Sequence, residues 1–280
     1  GSFGEGRMAV ISKNNSKKEL WNAFKKRRVY AATGDKINIF FKINNMHMGS
    51  KINKCRNRSI NIEVSSISAL QSVILFKNDK KYRVFNIRSK KEIKKIITGS
   101  LEIAWGWGKK YSAIKWNGEV SLEKGIINDY QTCFRGIPKL EPNQKNYLKN
   151  SGLLNELKKS EGIIQFKSIT TGNYSLKDPA YQSFKINISS PLDDNLKIFV
   201  NKKEYIVGIK DLVINGSKVF YMKGWLSELI KIGPFNHKDE LYFSKKIIDN
   251  KPIQKTDRYR VEVIQNNGER AWSSPIWVSN

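Results

Sequence analysis

The sequence of 280 residues predicts a mainly β protein, in which antiparallel, sandwich-like sheets follow a short α/β segment. Three observations predict this class: apolar and polar residues alternate along much of the chain, Asn-Gly pairs interrupt the alternation, and a capped helix precedes it. We expect a strand–loop–helix remnant of an α/β domain, a first β-rich part, a connection, and a second β-rich part that ends in a hairpin. Their boundaries are 1–34, 35–135, 136–160 and 161–280.

The first segment contains the clearest helix signal. Ser16 and Glu19 have the spacing of a capping box, in which the serine hydroxyl accepts from the amide of Glu19 and the carboxylate accepts from the amide of Ser16. An apolar stripe that includes Trp21 follows, so a helix is expected over 16–28. The apolar run 8–11 predicts a short strand before it.

Alternation with a period of two residues predicts the strands of the β-rich parts, because it places the apolar side chains on one face. Two runs show it clearly: Ile37, Ile39, Phe41 and Ile43, then Ile60, Ile62 and Val64. Turn signals between such runs predict hairpins, since both central residues of a type I′ turn need positive φ. These signals are Asn78-Asp79, Asn117-Gly118, Asn215-Gly216 and Asn267-Gly268. Further short helices are predicted at 90–97 and 153–159.

The stretch 258–278, close to the end of the chain, predicts an interior hairpin rather than a dispensable tail. One strand presents an alternating apolar face and Trp272 begins the return strand. Pro275 lacks an amide hydrogen, so it is expected at an irregularity in that strand. The residues of the apolar face are Tyr259, Val261 and Val263, continued by Ile276 and Val278.

The chain is strongly basic, with 51 Lys and Arg against 25 Asp and Glu and a net charge of +26. This excess suggests weak binding to a polyanion such as nucleic acid, an acidic polymer or a membrane surface. The basic residues are spread along the whole sequence, so a general bias toward Lys, Asn and Ile is the alternative explanation. No apolar run approaches the ~20 residues of a membrane span, and nothing in the composition indicates a cellular location.

The search for catalytic or metal-binding residues finds none to name. His47 and His237 stand in unrelated contexts, and neither belongs to a zinc-binding pattern. Cys55 and Cys133 do not form a disulfide framework, and two ordinary thiols are expected unless the fold brings them together.

Three tryptophans, Trp105, Trp107 and Trp116, are candidates for stacking against a ligand. If they are exposed, they would suit sugar rings or bases. If they are buried, they are part of a sheet core, which is the usual place of large aromatic side chains. Trp105 and Trp107 have the same parity, so a regular strand would place them on one face.

Two stretches at opposite ends of the chain resemble a family of long bacterial proteins. The first, 17–50, contains Leu20-Trp21-Asn22-Ala23, Arg27-Arg28, the run from Tyr30 to Gly34, and Met48-Gly49. The second, 268–278, reads GERAWSSPIWV, with Trp272 and Pro275. The family carries a PHP-type (polymerase and histidinol phosphatase) metal-dependent hydrolase domain and is otherwise described only as a domain of unknown function.

The resemblance implies that the metal ligands, and the divalent metal ions they hold, belong to a catalytic domain upstream of Gly1. The capped helix would close that domain, and no family catalytic residue falls on a position of this chain. The expected function is therefore a non-catalytic, β-rich C-terminal portion of such a hydrolase, inactive alone, whose partner is the missing N-terminal catalytic domain. Two alternatives stay open: a stand-alone basic β-sandwich module that binds an anionic polysaccharide or nucleic acid, and an enzyme with an unrecognised site.

Overall fold

The structure, a computed structural model, describes residues 6–87, 95–108, 114–134, 155–170, 180–224 and 227–280. The chain forms two compact units. One contains residues 4–90 and 238–280, and the other contains residues 91–237. We call their described residues the terminal unit and the inserted unit. The sequence predicted a different division, at 35, 136 and 161. The units differ from it because strands from the two ends of the chain pair with each other.

The terminal unit contributes the first and last elements of the chain, and the inserted unit contributes those between them. The terminal unit begins with β1 Arg7–Val10, α1 Lys17–Lys25, β2 Val29–Ala32, β3 Ile37–Ile43, β4 Met46–His47, β5 Lys51–Ile52, β6 Arg58–Ser66, β7 Leu70–Lys77 and β8 Lys80–Asn86. The inserted unit contains β9 Ile96–Gly106, β10 Ile114–Leu122, β11 Ile126–Thr132, β12 Asn155–Ser160, β13 Ile163–Thr170, β14 Tyr181–Pro191, β15 Asn195–Val200, β16 Lys203–Gly208, α2 Ile209–Ile214, β17 Lys218–Tyr221 and β18 Leu229–His237. The terminal unit resumes with a 3₁₀ turn Lys238–Glu240, β19 Tyr242–Asp249, β20 Thr256–Gln265, β21 Arg270–Ser273 and β22 Ile276–Ser279.

The predicted fold class is confirmed: 63% of the described residues lie in strands and 8% are helical. The described strand pairs are antiparallel, except that β22 and β5 are parallel. Within the described part of the chain, no helix is long and apolar enough to cross a membrane.

The terminal unit packs an eight-stranded sheet and a four-stranded sheet around one hydrophobic core. The larger sheet follows the order β1-β2-β21-β20-β22-β5, with β7 and β8 added on the free edge of β20. The smaller sheet follows the order β19-β6-β3-β4. The predicted alternation is confirmed in both β3 and β6, while Phe40 of β3 lies on the opposite face and is 49% exposed. The alternating residues in the core are Ile37, Ile39, Phe41, Ile43, Ile60, Ile62 and Val64.

The C-terminal hairpin lies inside the larger sheet, as predicted. β20 pairs with β7 along one edge and with β21 and β22 along the other. Tyr259, Val261 and Ile276 are each 0% exposed. The return strand is interrupted at Ser274 and Pro275, and the Ser273 hydroxyl accepts from the amide of Val261 at 2.8 Å beside this gap.

The inserted unit is a second sandwich, made of two five-stranded sheets. Their orders are β11-β14-β9-β18-β17 and β12-β13-β10-β15-β16. Apolar residues of both sheets form one core, which Ile209 and Leu212 of α2 also join.

Two of the predicted turns are confirmed and two are wrong. Asn78-Asp79 joins β7 to β8 with positive φ at both residues, and Gly268 has φ +87 between β20 and β21. Asn117-Gly118 instead lies inside β10, because β13 and β15 pair with both edges of that strand and override the local turn preference. Asn215-Gly216 follows α2 rather than a strand. Residues 209–214 form this helix, and its Leu212 packs in the core of the inserted unit.

The predicted short helices fare differently. The first helix is confirmed over Lys17–Lys25. The prediction at 153–159 is wrong where the structure describes it, because residues 155–160 form β12 and pair with β13. Most of the prediction at 90–97 falls outside the described residues, and its last two positions begin β9. The predicted connection likewise lies outside the described residues up to position 154.

Candidate functional site

The two ends of the chain meet where β2 runs beside β21. The amide of Gly34 donates to Glu269 Oε2 at 2.6 Å, and the Thr33 hydroxyl donates to the same oxygen. The amide of Arg270 donates to Thr33 Oγ1 at 2.9 Å. A β-carbon on Gly34 would lie 2.8 Å from Glu269 Oε1, so the carboxylate fits because position 34 is glycine.

A second contact joins the same two segments through Gly49. Its amide donates to the carbonyl of Pro275 at 2.8 Å, and its own carbonyl accepts from Arg27 Nε at 3.2 Å. Gly49 has φ +86, and a β-carbon there would lie 2.3 Å from the carbonyl oxygen of Lys26. The Arg27 guanidinium lies 5.3 Å from the centroid of the Trp277 ring, a cation–π contact. Both segments that carry the family resemblance therefore contact each other in the terminal unit.

Half of the predicted capping box is present at the start of α1. The Ser16 hydroxyl accepts from the amide of Glu19 at 3.3 Å. The amide of Ser16 donates to Asn14 Oδ1 at 3.0 Å instead of to Glu19, whose Oε1 accepts from Asn22 at 3.4 Å. An asparagine two residues earlier has taken the place that the carboxylate would fill.

The apolar stripe of α1 is largely uncovered. Ala23 is the buried residue of the helix, while Trp21 is 60% exposed and Phe24 36% exposed. The centroids of these two rings lie 6.4 Å apart in an edge-to-face arrangement, and Leu20 completes the face. Large aromatic side chains are usually mostly buried, so this apolar face of α1 is unusual for a surface.

A fully buried charge network holds the two sheets of the terminal unit together at one end. Arg58 of β6 donates to Asp257 and, at 2.5 Å, to the hydroxyl oxygen of Tyr259 on β20. That hydroxyl donates to Asp249 Oδ2 on β19 at 2.6 Å, and Lys77 of β7 donates to the same oxygen at 2.7 Å. Two cations and two anions thus balance within a chain of hydrogen bonds, and all five residues are at most 3% exposed.

The electrostatics of this network keep Asp249, Asp257 and Tyr259 in the protonation states that these hydrogen bonds require. Burial alone would raise the pKa of both carboxyl groups, but hydrogen bonds from Lys77 to Asp249 and from Asn78 to Asp257 help hold both below their usual values. Burial, with the hydrogen bond to Asp249, raises the pKa of Tyr259, so its hydroxyl stays protonated and donates. Every charge has an internal partner, so the network serves packing rather than a ligand.

Sequence reasoning missed this network, although the strand pattern contains a signal for it. Asp257 and Tyr259 occupy the same parity as the buried Val261, and Lys77 the same parity as the buried Leu75. A charged residue in the apolar phase of a strand needs a partner, because an unpaired buried charge is very costly.

Trp105 and Trp116 lie in the core of the inserted unit, 0% and 1% exposed. The Trp105 indole donates to Ser168 Oγ at 2.6 Å, and the Trp116 indole donates to Thr170 Oγ1 at 2.8 Å. Neither ring has a face free for a ligand, so the stacking role is corrected to core packing for these two residues.

Trp107 is half-buried and does not share the face of Trp105. It follows the end of β9 with φ +58, which breaks the strand parity on which that expectation rested. Its ring stacks on Tyr181 with centroids 4.3 Å apart and planes 15° apart. One face of the ring is therefore occupied.

The remaining candidates for chemistry are scattered. His47 lies in β4, where burial together with Lys42 and Arg28 lowers the pKa of its ring; His237 ends β18. Cys55 and Cys133 belong to different units, and neither forms a disulfide with a described residue. Among the described residues, no three His, Cys, Asp or Glu side chains gather closely enough to hold a metal ion.

Comparison of the chain with known protein families, with curated proteins and with solved structures found no match. The family resemblance therefore stays a prediction from the residues that carry it.

Proposed function

We propose that this chain is the non-catalytic, β-rich portion of a larger metal-dependent hydrolase, and that a catalytic domain encoded upstream packs against α1. The observation that carries the proposal is the uncovered apolar face of α1, where Trp21 is 60% exposed. A contiguous patch of exposed apolar side chains often marks a site of interaction with another protein or domain. The helix lies where the resemblance places the end of the catalytic domain, so the face has an occupant of defined position.

The contacts between 17–50 and 268–278 also support the proposal. The positions that define the resemblance include glycines whose backbones touch the partner segment, namely Gly34 and Gly49. Such positions are constrained by geometry rather than by chemistry. A scaffold that presents α1 in a fixed orientation would need them whether or not it contains a catalytic group.

The proposal is tested by the reading frame that precedes Gly1 in the genome. We expect a sequence with His-x-His motifs there, and an extended protein that hydrolyses bis(p-nitrophenyl) phosphate with Mn²⁺ or Zn²⁺. The present chain alone should show no turnover above a blank. Absence of such a frame, or turnover by the chain alone that follows its concentration, would overturn the proposal.

The docking surface has its own test in the extended protein. Hydrogen exchange of residues 17–25 should be slower there than in the isolated chain, because the catalytic domain covers α1. The double variant Trp21→Ala with Phe24→Ala should remove that difference. Ile126→Ala, which changes an apolar residue 65% exposed in the inserted unit, is the matched control and should leave it unchanged.

A second function is favoured by the uneven charge of the two units. Residues 4–90 and 238–280 contain 28 Lys and Arg against 11 Asp and Glu, whereas 91–237 contain 23 against 14. On the terminal unit, Trp277 pairs with Lys51 on one side and Arg258 on the other, and Arg27 lies over its ring. This arrangement suits weak binding of a polyanion, such as an acidic polysaccharide or a nucleic acid.

A further inference from the structure

A groove crosses the outer face of the sheet β12-β13-β10-β15-β16 in the inserted unit. Its volume is about 620 Å³, within the ~300–1,000 Å³ of ligand sites. The floor is the middle of β10, one wall comes from β13, and the other comes from β15 and the turn that follows it. The lining side chains are Asn117, Glu119, Gln165, Lys167, Phe199 and Lys202.

These side chains are unengaged. Within the described residues, none of the five polar ones makes a side-chain hydrogen bond or ion pair. Phe199 is 45% exposed on a face that is otherwise mostly polar. The charge network of the terminal unit satisfies every ion internally, whereas this groove presents a carboxylate, two amides and two ammonium groups to whatever enters it.

The rim of the groove is held in place before any ligand arrives. Asn201 lies in the turn after β15 with φ +47, and its Oδ1 accepts from the amide of Asn117 at 3.0 Å. Its Nδ2 donates to the carbonyl of Lys115 at 2.9 Å. The turn is therefore tied to β10, and a site fixed in advance loses less conformational entropy on binding.

We propose that this groove binds an oligosaccharide. Glu119 is the direct cross-strand neighbour of both Phe199 and Gln165, so an aromatic ring, a carboxylate and an amide lie in one row. The C–H face of a pyranose packs on an aromatic ring, and its hydroxyls both donate and accept. The sugar hydroxyls can donate to Glu119 and accept from Lys167 and from the side-chain amides of Asn117 and Gln165. These hydrogen bonds would satisfy the polar groups of the groove.

The same row disfavours a nucleic-acid strand. A base could stack on Phe199, but a phosphodiester offers no donor to the central Glu119 and would be repelled by its charge. A sugar hydroxyl meets no such penalty. The inference stands apart from the proposed function, because the groove and α1 belong to different units.

The test measures binding of chitohexaose, cellohexaose and hexagalacturonate to the full chain by isothermal titration calorimetry, with dT12 as the nucleic-acid probe. We expect saturable binding of at least one hexaose, and the neutral and acidic probes show which kind of sugar is bound. Phe199→Ala should weaken that binding roughly tenfold or more, a change of about 1.4 kcal/mol. Phe199→Trp should retain it, and Glu119→Gln should weaken it without changing the thermal unfolding temperature.

Two variants control for position and for charge. Ile206→Ala changes an apolar residue that is 52% exposed and lies outside the lining of the groove, and Glu161→Gln changes a glutamate in the turn between β12 and β13. Both should bind as the wild type does. Binding of none of the hexaoses, binding of dT12 alone, or equal binding by Phe199→Ala and the wild type would each overturn the proposal.

Discussion

The carboxylate of Glu269 accepts a hydrogen bond from the amide of Gly34 at 2.6 Å, although the two residues lie 235 positions apart in the chain. The Thr33 hydroxyl donates to the same carboxylate oxygen. This clasp closes the edge where β2 meets β21 and joins the two ends of the chain into one unit. It also joins the two segments, 17–50 and 268–278, on which the predicted family resemblance rests.

Glu269→Ala should weaken this clasp. The change leaves the amide of Gly34 without its acceptor and leaves the Thr33 hydroxyl with the longer contact to the carbonyl of Arg270 at 3.5 Å. We expect a loss of about 1–3 kcal/mol of unfolding free energy. Hydrogen exchange measured by mass spectrometry should become faster in peptides that cover residues 29–36 and 268–274. Glu63→Ala is the control, because Glu63 is exposed on β6 and should change the unfolding free energy by less than about 0.5 kcal/mol.

Asp249→Asn should break the buried charge network. It removes the carboxylate that lies 2.7 Å from Lys77 Nζ and leaves that of Asp257 at 3.7 Å as the remaining anion. Removing one partner of a buried ion pair costs about 3–5 kcal/mol. Urea unfolding at pH 7 gives the loss directly. If the loss were no larger than that of Asp239→Asn, an exposed control in the 3₁₀ turn, the network would not contribute as we infer.

The same network predicts how stability depends on pH. The pKa values of Asp249 and Asp257 are lower in the folded protein than their usual values. Their contribution is therefore fully present above pH ~4, the ordinary range of an aspartate, and is lost as the pH falls through the folded values. Unfolding free energy measured from pH 7 to pH 2.5 should fall steeply at the acid end, and Asp249→Asn should make that fall shallower.

The fold class could be predicted from the sequence because strand alternation reports directly on burial. Ile37 and Ile39 flank the polar Asn38, and both are buried in β3. The turn at Asn117-Gly118 could not be predicted, because the signal is local while the outcome is decided by two partner strands that lie far away in the chain. A central strand gains hydrogen bonds on both edges, and this gain exceeds the preference of two residues for a turn.

The candidate sites were less accessible to sequence reasoning than the fold. Exposure of Trp21 cannot be read from a stripe at helical spacing, since such a stripe usually faces a core. The groove around Phe199 depends on side chains from three strands, and their alignment is a matter of register. Register is set by the whole sheet, so no window of sequence contains it.

Ile276→Ala tests whether the final strand contributes to the core of the terminal unit. Ile276 is fully buried, and truncating a buried isoleucine costs about 2–5 kcal/mol. Ile253→Ala, which changes an isoleucine that is 68% exposed, is the matched control and should be nearly neutral in urea unfolding.

Removal of residues 271–280 takes away both β22 and most of β21, so the truncated chain should be insoluble or unfolded. A soluble truncation with an unchanged melting temperature would show that the ending is only a tail.

Polyanion binding by the chain should be weak, sensitive to salt and indifferent to sequence. Basic residues on the terminal unit neutralise phosphates or sulfates and release counterions, which gives affinity without reading bases. If the chain contacts three or four phosphates, raising the salt concentration from 50 to 200 mM should lower its affinity for duplex DNA roughly 40- to 150-fold. Fluorescence anisotropy with two unrelated duplexes should give equal affinities at each salt concentration.

A charge reversal locates this binding. Lys51→Glu changes an exposed lysine opposite Trp277, whereas Lys210→Glu makes the same change on α2 of the inserted unit. If the charge of the terminal unit holds the polyanion, Lys51→Glu should weaken duplex binding clearly more than Lys210→Glu and should make the salt dependence shallower by about one released counterion. Equal effects of the two variants would mean that the net charge of +26 acts as a whole, as the compositional explanation requires. Strong preference for one duplex at physiological salt would contradict both explanations, because neither supplies contacts to base edges.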